Sequence, residues 1–464
     1  MNSSSVEKAA PNARLPLRVR PRREPTSGAF FWLSAFFVVY CARPEDWIPG
    51  LAYIPLAKIS AIFALLGLMM SAGRSKRSFR DLPREAKYFV GMVGALFVAA
   101  VVSPVWKGGA FFKTLDFAKA PVAWVLTFLV ITNLDRLKKI IFIQSASVAA
   151  ITVVSLVKGR SSPRLEGVIG GIYSNPNDLA FAIVLSLPFC FAFLLNTRSI
   201  PRKSVWMGAM LAMCTALFMT GSRAGFIDLV VTGVVCVWLF GIKGKRAHLV
   251  ATAAIVALIV GLTAGARVKD RFFAISGKNL DTGIEVSAHG SYEQRWQLMV
   301  DSVEAVAHYP FGLGMGNFVS YNGTWREVHV AYLQIAAEGG IIAFVLYLLF
   351  FARGFGNLRQ LRRVHNPDPE IELFSGALYA TLTGFVVGAF FAPEAYQYFP
   401  YFAEAYTAVL LVIAREKPDG SSSDLAQRPQ RFSKANLQTV GLPRLRGAAG
   451  VRPPAGKPVL RHRS

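Results

Sequence analysis

Four arginines and a histidine carry most of the chemistry this sequence can offer. Arg164 stands in Arg164-Leu-Glu-Gly, shortly ahead of Gly170-Gly-Ile-Tyr-Ser-Asn-Pro-Asn-Asp178. Arg223 stands in Thr220-Gly-Ser-Arg-Ala-Gly225, Arg295 directly before Trp296, and Arg326 three residues before His329. A guanidinium is planar, keeps its charge, and grips phosphate oxygens through two parallel N–H donors. A neutral imidazole accepts or orients a hydroxyl proton near pH 7. Together these types suit a phosphate-bearing substrate and a proton transfer. Taken singly, each arginine is better explained by snorkelling or a local ion pair, and His329 by a structural role.

What singles these residues out is the frame that must position them. The chain has 464 residues, 53% of them hydrophobic and only 17% charged, with a formal net charge of +24. Soluble chains carry roughly 25% charged residues, and a mean hydropathy of +0.41 points instead to a membrane protein. Twelve apolar stretches are long enough, or nearly so, to cross a hydrocarbon core of about 30 Å. They cover 29–42, 51–72, 86–105, 117–133, 139–157, 177–195, 204–221, 224–242, 247–265, 330–352, 373–392 and 398–414. The expected fold is therefore all-α, a polytopic bundle with both termini cytoplasmic. The basic N-terminal segment precedes an apolar run without a small-residue cleavage site, unlike a signal peptide. Cys41, Cys190, Cys214 and Cys236 form neither a CxxC pair nor a zinc spacing.

The charge follows the same frame. Cytoplasmic loops of membrane proteins carry the Lys and Arg. With twelve crossings, about 36 of the 51 Lys and Arg fall on the inner side, as in Arg74-Ser-Lys-Arg77, Arg202-Lys203 and Lys243-Gly-Lys-Arg246. About 14 fall outside, among them the four arginines above. Residues 1–28 and 415–464 are rich in Arg, Pro, Ser and Gly and read as disordered basic cytoplasmic tails able to meet anionic membrane lipids. No motif or aromatic interleaving supports nucleic acid as a partner.

Between the ninth and tenth stretches lies the one large external segment, 266–329, within the membrane domain 29–414. Apolar residues at 296, 299, 300, 303 and 306 predict an amphipathic helix over 291–308, which Pro310 ends. Gly312-Leu-Gly-Met-Gly316 follows without the strand or lysine of a P-loop. His289 and His308 occupy undistinguished positions, whereas His329 stands where the chain re-enters the bilayer. Lys58, Asp228, Glu338 and Glu404 are ionisable groups in or at the edge of apolar stretches, where such groups are functional candidates. Nine residues separate His329 from Glu338, half a turn out of phase on one helix, so the two are not paired. No histidine–carboxylate cluster suggests a metal, and no cofactor is expected.

The ordered set of motifs resembles the O-antigen ligase/polymerase family of bacterial inner-membrane glycosyltransferases. The resemblance rests on Asn175-Pro-Asn-Asp-Leu-Ala180, Gly221-Ser-Arg-Ala-Gly225, Arg295-Trp296 with Gly312-Leu-Gly-Met-Gly-Asn-Phe318, and His329 with Tyr332-Leu-Gln334 and Glu338-Gly-Gly340. It covers about 29–414 and is clearest at 164–345. Val330 stands where the family commonly has Asn. The resemblance implies location in the inner membrane and metal-independent transfer of a glycan from undecaprenyl pyrophosphate to an acceptor hydroxyl at the periplasmic face. For a ligase that acceptor is lipid A-core, and for a polymerase another lipid-linked repeat. By motif, Arg223 and Arg295 would bind the pyrophosphate and His329 would be the base. Arg164, Arg326, Asn175 and Asn177 are further substrate-binding candidates. Two other classes fit an apolar chain of this kind. A transporter of anions or small molecules would depend on Lys58, Asp228 or Glu404, and a scaffold protein on none of these groups.

Overall fold

A computed structural model describes residues 24–71, 73–159, 164–167, 173, 175–252, 254, 283–324, 326–364 and 368–416, with side chains from 293 in the segment that resumes at 283. Within them all regular structure is helical. We number the longer helices α1 (Ser27–Ala42), α2 (Leu56–Met70), α3 (Arg84–Val102), α4 (Lys107–Phe117), α5 (Lys119–Val130) and α6 (Leu134–Lys158). There follow α7 (Pro176–Asn196), α8 (Ile200–Thr220) and α9 (Arg223–Cys236), which runs on through a π-helical turn, Val237–Ile242. The last four are α10 (Gly283–His308), α11 (Ala331–Leu361), α12 (Pro369–Gly388) and α13 (Tyr398–Glu416).

Seven of these helices are long and apolar enough to cross a membrane: α3, α6, α7, α8, α9 with its π-turn, α11 and α12. Helices α1 and α2 are apolar but shorter. The protein is thus a helical membrane protein, and the expected count of twelve crossings exceeds what helix length and composition establish. Most of the ninth stretch and the first part of the large loop lie outside the described residues, as do nearly all of both tails. The fourth stretch differs from expectation. The helix within it, α5, has only 12 residues, and the connector before it is itself a helix, α4. Lys107, Lys113 and Asp116 alternate there with Phe111, Phe112 and Leu115, a mixed pattern easily taken for a loop.

Helix ends gather at two ends of the bundle. At one end, α5 meets α6 and α7 meets α8. Arg77 donates to the carbonyls of Phe128 and Ile131 at 2.9 and 2.8 Å. Arg136 pairs with Glu24 and Lys138 with Glu370. The basic short loops lie here, so many of their cations also tie chain ends together. At the other end α3, α6, α8 and α12 finish and α7, α9, α11 and α13 begin. That end carries the site.

Candidate functional site

The sequence around Arg223 folds as it does for local reasons. Gly221 ends α8 in the left-handed conformation, with φ of 59°. Ser222 then caps α9, its side chain accepting from the Gly225 N–H at 3.1 Å. Gly225 lets α9 approach α7, since a Cβ there would meet Ala180 Cβ at 2.8 Å. Arg223 is consequently the first residue of α9, where unpaired backbone N–H groups add positive potential to its own charge.

Arg295, on α10, lies close enough for the Arg223 charge, after burial, to lower its pKa. Among the described residues neither arginine forms an ion pair with a carboxylate. Two half-buried like charges side by side are unfavourable unless an anion joins them. His329, just ahead of α11, lies near Arg295 of this pair. Burial, followed by the charges of Arg295 and Arg326, pushes its imidazole down to about 4. It is therefore neutral at physiological pH. Arg326 is exposed, and its guanidinium donates to Gln294 on α10. The structure thus gathers Arg223, Arg295, Arg326 and His329 around one place.

The other candidates have structural partners. Arg164 donates to the Thr220 carbonyl at 2.6 Å and to Asn177 Oδ1 at 3.0 Å. It clamps the α8–α9 turn to the head of α7. Asn175 caps α7 by accepting from the Asn177 N–H. These three residues hold the platform on which Arg223 stands.

A glycine-rich turn packs against α11 around Glu338–Ile341. Gly312, Gly314 and Gly316 all have positive φ. The Leu313 and Gly314 N–H groups donate to the Ala337 and Glu338 carbonyls at 2.9 and 2.8 Å. Gly340 breaks α11 with φ 77° and ψ 178°, and the Ile341 N–H reaches out to the Pro310 carbonyl at 3.0 Å. A Cβ on Gly312 would lie 2.5 Å from the Glu338 carbonyl. Asn317 fastens the turn to α3 and α4, donating to Ser103 Oγ at 2.8 Å and the Trp106 carbonyl at 3.1 Å. Tyr332 donates to the Val386 carbonyl at 2.8 Å, tying the start of α11 to α12.

Sequence reasoning missed Glu327 and Glu394, which gather with Asp178 and Glu338. Glu394, in the α12–α13 connector, is 1% exposed. Burial, then the neighbouring Asp178 charge, raises its pKa well above the usual carboxylate range. Glu327 is also raised by burial, with Lys113 of α4 pulling the other way. Glu338 faces Gly316, Tyr396, Glu327 and Lys113 and not His329. Asp178 was visible inside the Asn-Pro-Asn-Asp motif, but Glu394 sits in a plain connector with no pattern to mark it.

The remaining intramembrane groups do not converge. Asp228 (1% exposed) accepts from Thr232 and packs on Gly388 of α12. Glu404 accepts from Trp124 Nε1 at 2.6 Å and lies near Glu85 and Arg353. Lys58 lines a separate groove. A common transporter site built from these three has no counterpart here.

Two adjacent arginines and a neutral imidazole thus lie at one end of a membrane helix bundle. Residues 208–348, from α8 into α11, match the family model of the O-antigen ligase domain. The matched stretch contains Arg223, Arg295, Arg326 and His329. Arg164, Asn175 and Asn177 precede it. No curated protein matches the chain significantly.

Proposed function

We propose that this protein transfers a glycan from undecaprenyl pyrophosphate to an acceptor hydroxyl at the periplasmic face of the bacterial inner membrane, as an O-antigen ligase. The observation that carries the reading is the pair Arg223 and Arg295, close together and, among the described residues, without an ion-paired carboxylate, with neutral His329 near Arg295. The arginines bind the two phosphates of the donor. They stabilise the negative charge that develops as the bond between the sugar anomeric carbon and the phosphate oxygen breaks. Imidazole nitrogen takes the proton of the acceptor hydroxyl as its oxygen bonds to that carbon. Undecaprenyl pyrophosphate leaves, and the proton returns to solvent from His329.

Charge coupling helps in a definite direction. Burial and then the arginines hold the imidazole pKa low. A bound pyrophosphate neutralises them, so the pKa rises toward its ordinary value of about 6.5 and the base grows stronger when the donor is present. Polymerisation onto a second lipid-linked repeat uses the same chemistry with another acceptor.

A deletion strain tests the assignment. Accumulation of polymerised glycan left on its lipid carrier, restored by wild-type protein but not by His329→Ala, is the outcome expected of a ligase. Accumulation of single unpolymerised repeats would reassign the protein as a polymerase. Normal surface glycan in the deletion strain would remove both readings.

A further inference from the structure

Away from the arginine cluster, a cavity of about 740 Å³ opens between α1, α2, α4 and α5. That volume lies in the range of small-ligand sites, roughly 300–1,000 Å³. Its walls are graded along the helices. Leu33, Phe36, Ala61, Leu65 and Leu126 form the apolar part. Polar groups gather where α1 and α4 end and α2, α5 and α13 begin: Arg43, Glu45, Lys58, Asp116, Lys119 and Tyr398. A slot that is apolar over its length and charged at one rim has the polarity profile of a lipid.

The rim charges are not equivalent. Arg43 is committed to Glu45 at 3.1 Å and to Asp46 at 2.9 Å. Lys119 is paired with Asp116. Among the described residues Lys58 makes no ion pair, although it is the third residue of the otherwise apolar α2. A lone cation in an apolar helix is costly and calls for a partner. Basic pockets between membrane helices take anionic headgroups. One uncommitted positive charge matches a singly charged phosphodiester better than a pyrophosphate. None of Arg223, Arg295, Arg326 and His329 lines this cavity, so it is separate from the transfer site.

We propose that this groove seats one anionic phospholipid of the bilayer, its phosphodiester at Lys58 and its acyl chains against α1, α2 and α5. The site stands independently of the transfer reaction.

The test uses the full chain purified in mild detergent, with native mass spectrometry to count retained lipids and a thermal melt to follow added phosphatidylglycerol or phosphatidylcholine. Wild-type protein is expected to retain one anionic phospholipid and to melt higher with phosphatidylglycerol than with phosphatidylcholine. Lys58→Ala should lose roughly fivefold in that preference, the size of one lysine contact with an anionic headgroup, and Lys58→Arg should keep it. Ala61→Trp, which fills the groove, should abolish retention with Lys58 intact. Should that variant not fold, the Lys58→Ala and Lys58→Arg pair decides alone. Equal response to both lipids, or an unchanged preference in Lys58→Ala, overturns the proposal. Retention of a polyprenyl pyrophosphate in place of a phospholipid also overturns it, because the groove would then serve the substrate.

Discussion

His329 owes its character to its neighbours. An imidazole held at about 4 by burial and by two arginines is unprotonated throughout the physiological range. On the proposed reaction, the acid limb of the kcat/KM profile should fall near pH 4 and not near 6.5, since that parameter reports the free enzyme. Arg295→Ala removes part of the repulsion, so the limb should move to higher pH even as activity drops. A limb unmoved by Arg295→Ala would separate the two residues. His329→Ala should lower transfer by about 10²–10⁴-fold with the melting temperature kept. The linkage sign runs the same way for stability. The unfolded chain binds this proton more readily than the folded one, so the contribution of His329 to stability falls as pH drops from about 6.5 to 4. Arg223 and His329 could be singled out in the sequence because they stand at the edges of apolar runs, whereas Arg295, inside the external loop, was singled out only by the family resemblance. Glu394 was not, because nothing local distinguishes a carboxylate that becomes important only when α7 and α11 fold beside it.

At the scale of elements, the glycine-rich turn and the break in α11 form one device. Gly312 and Gly340 both adopt positive φ and lie back to back, with hydrogen bonds running between the two segments. Gly312→Ala combines backbone strain with a Cβ 2.5 Å from the Glu338 carbonyl. It should cost on the order of 1–3 kcal/mol, seen as a lower melting temperature in detergent, with transfer lost alongside. Gly323→Ala provides the comparison. Gly323 also has φ of 68°, but a Cβ there meets nothing within 4 Å, so it should cost less. Sequence periodicity located α3, α6, α7 and α8 to within a few residues, because long apolar runs leave a helix little freedom over where to lie. It also gave a helix over 291–308, within α10, but not its buried face, which is Leu298, Ser302 and Ala305 while Trp296, Val300 and Val303 are exposed. It took 330–352 as one uninterrupted span, since a glycine inside an apolar helix reads the same whether or not the helix breaks there. It missed α4, whose mixed face becomes informative only once Asn317 and Gly316 are seen against it.

At the scale of the whole molecule, the arrangement of charge is the prediction to test. The short basic loops cluster at the end opposite the arginine site, as expected if that end faces the cytoplasm. With the native cysteines replaced, Thr324→Cys should react with a membrane-impermeant thiol reagent applied to the periplasmic side. Arg362→Cys should react only after the membrane is opened. The reverse pattern would turn the protein over and place the candidate site in the cytoplasm. The alternation of basic loops was readable because it depends on composition alone. The number of crossings was not, because α1, α2 and α5 are too short to be judged by length.

The unpaired arginines also bear on turnover. A grip on two phosphates does not depend on whether a glycan is still attached to them, so on the proposed reaction the spent carrier leaves with every contact to Arg223 and Arg295 that the donor had on entering. Such an enzyme is prone to inhibition by its own product. Added undecaprenyl pyrophosphate should compete with the donor, and Arg223→Lys should weaken both together. The pace of the cycle then depends on how quickly the emptied lipid is drawn off and recycled, a step that lies outside this protein.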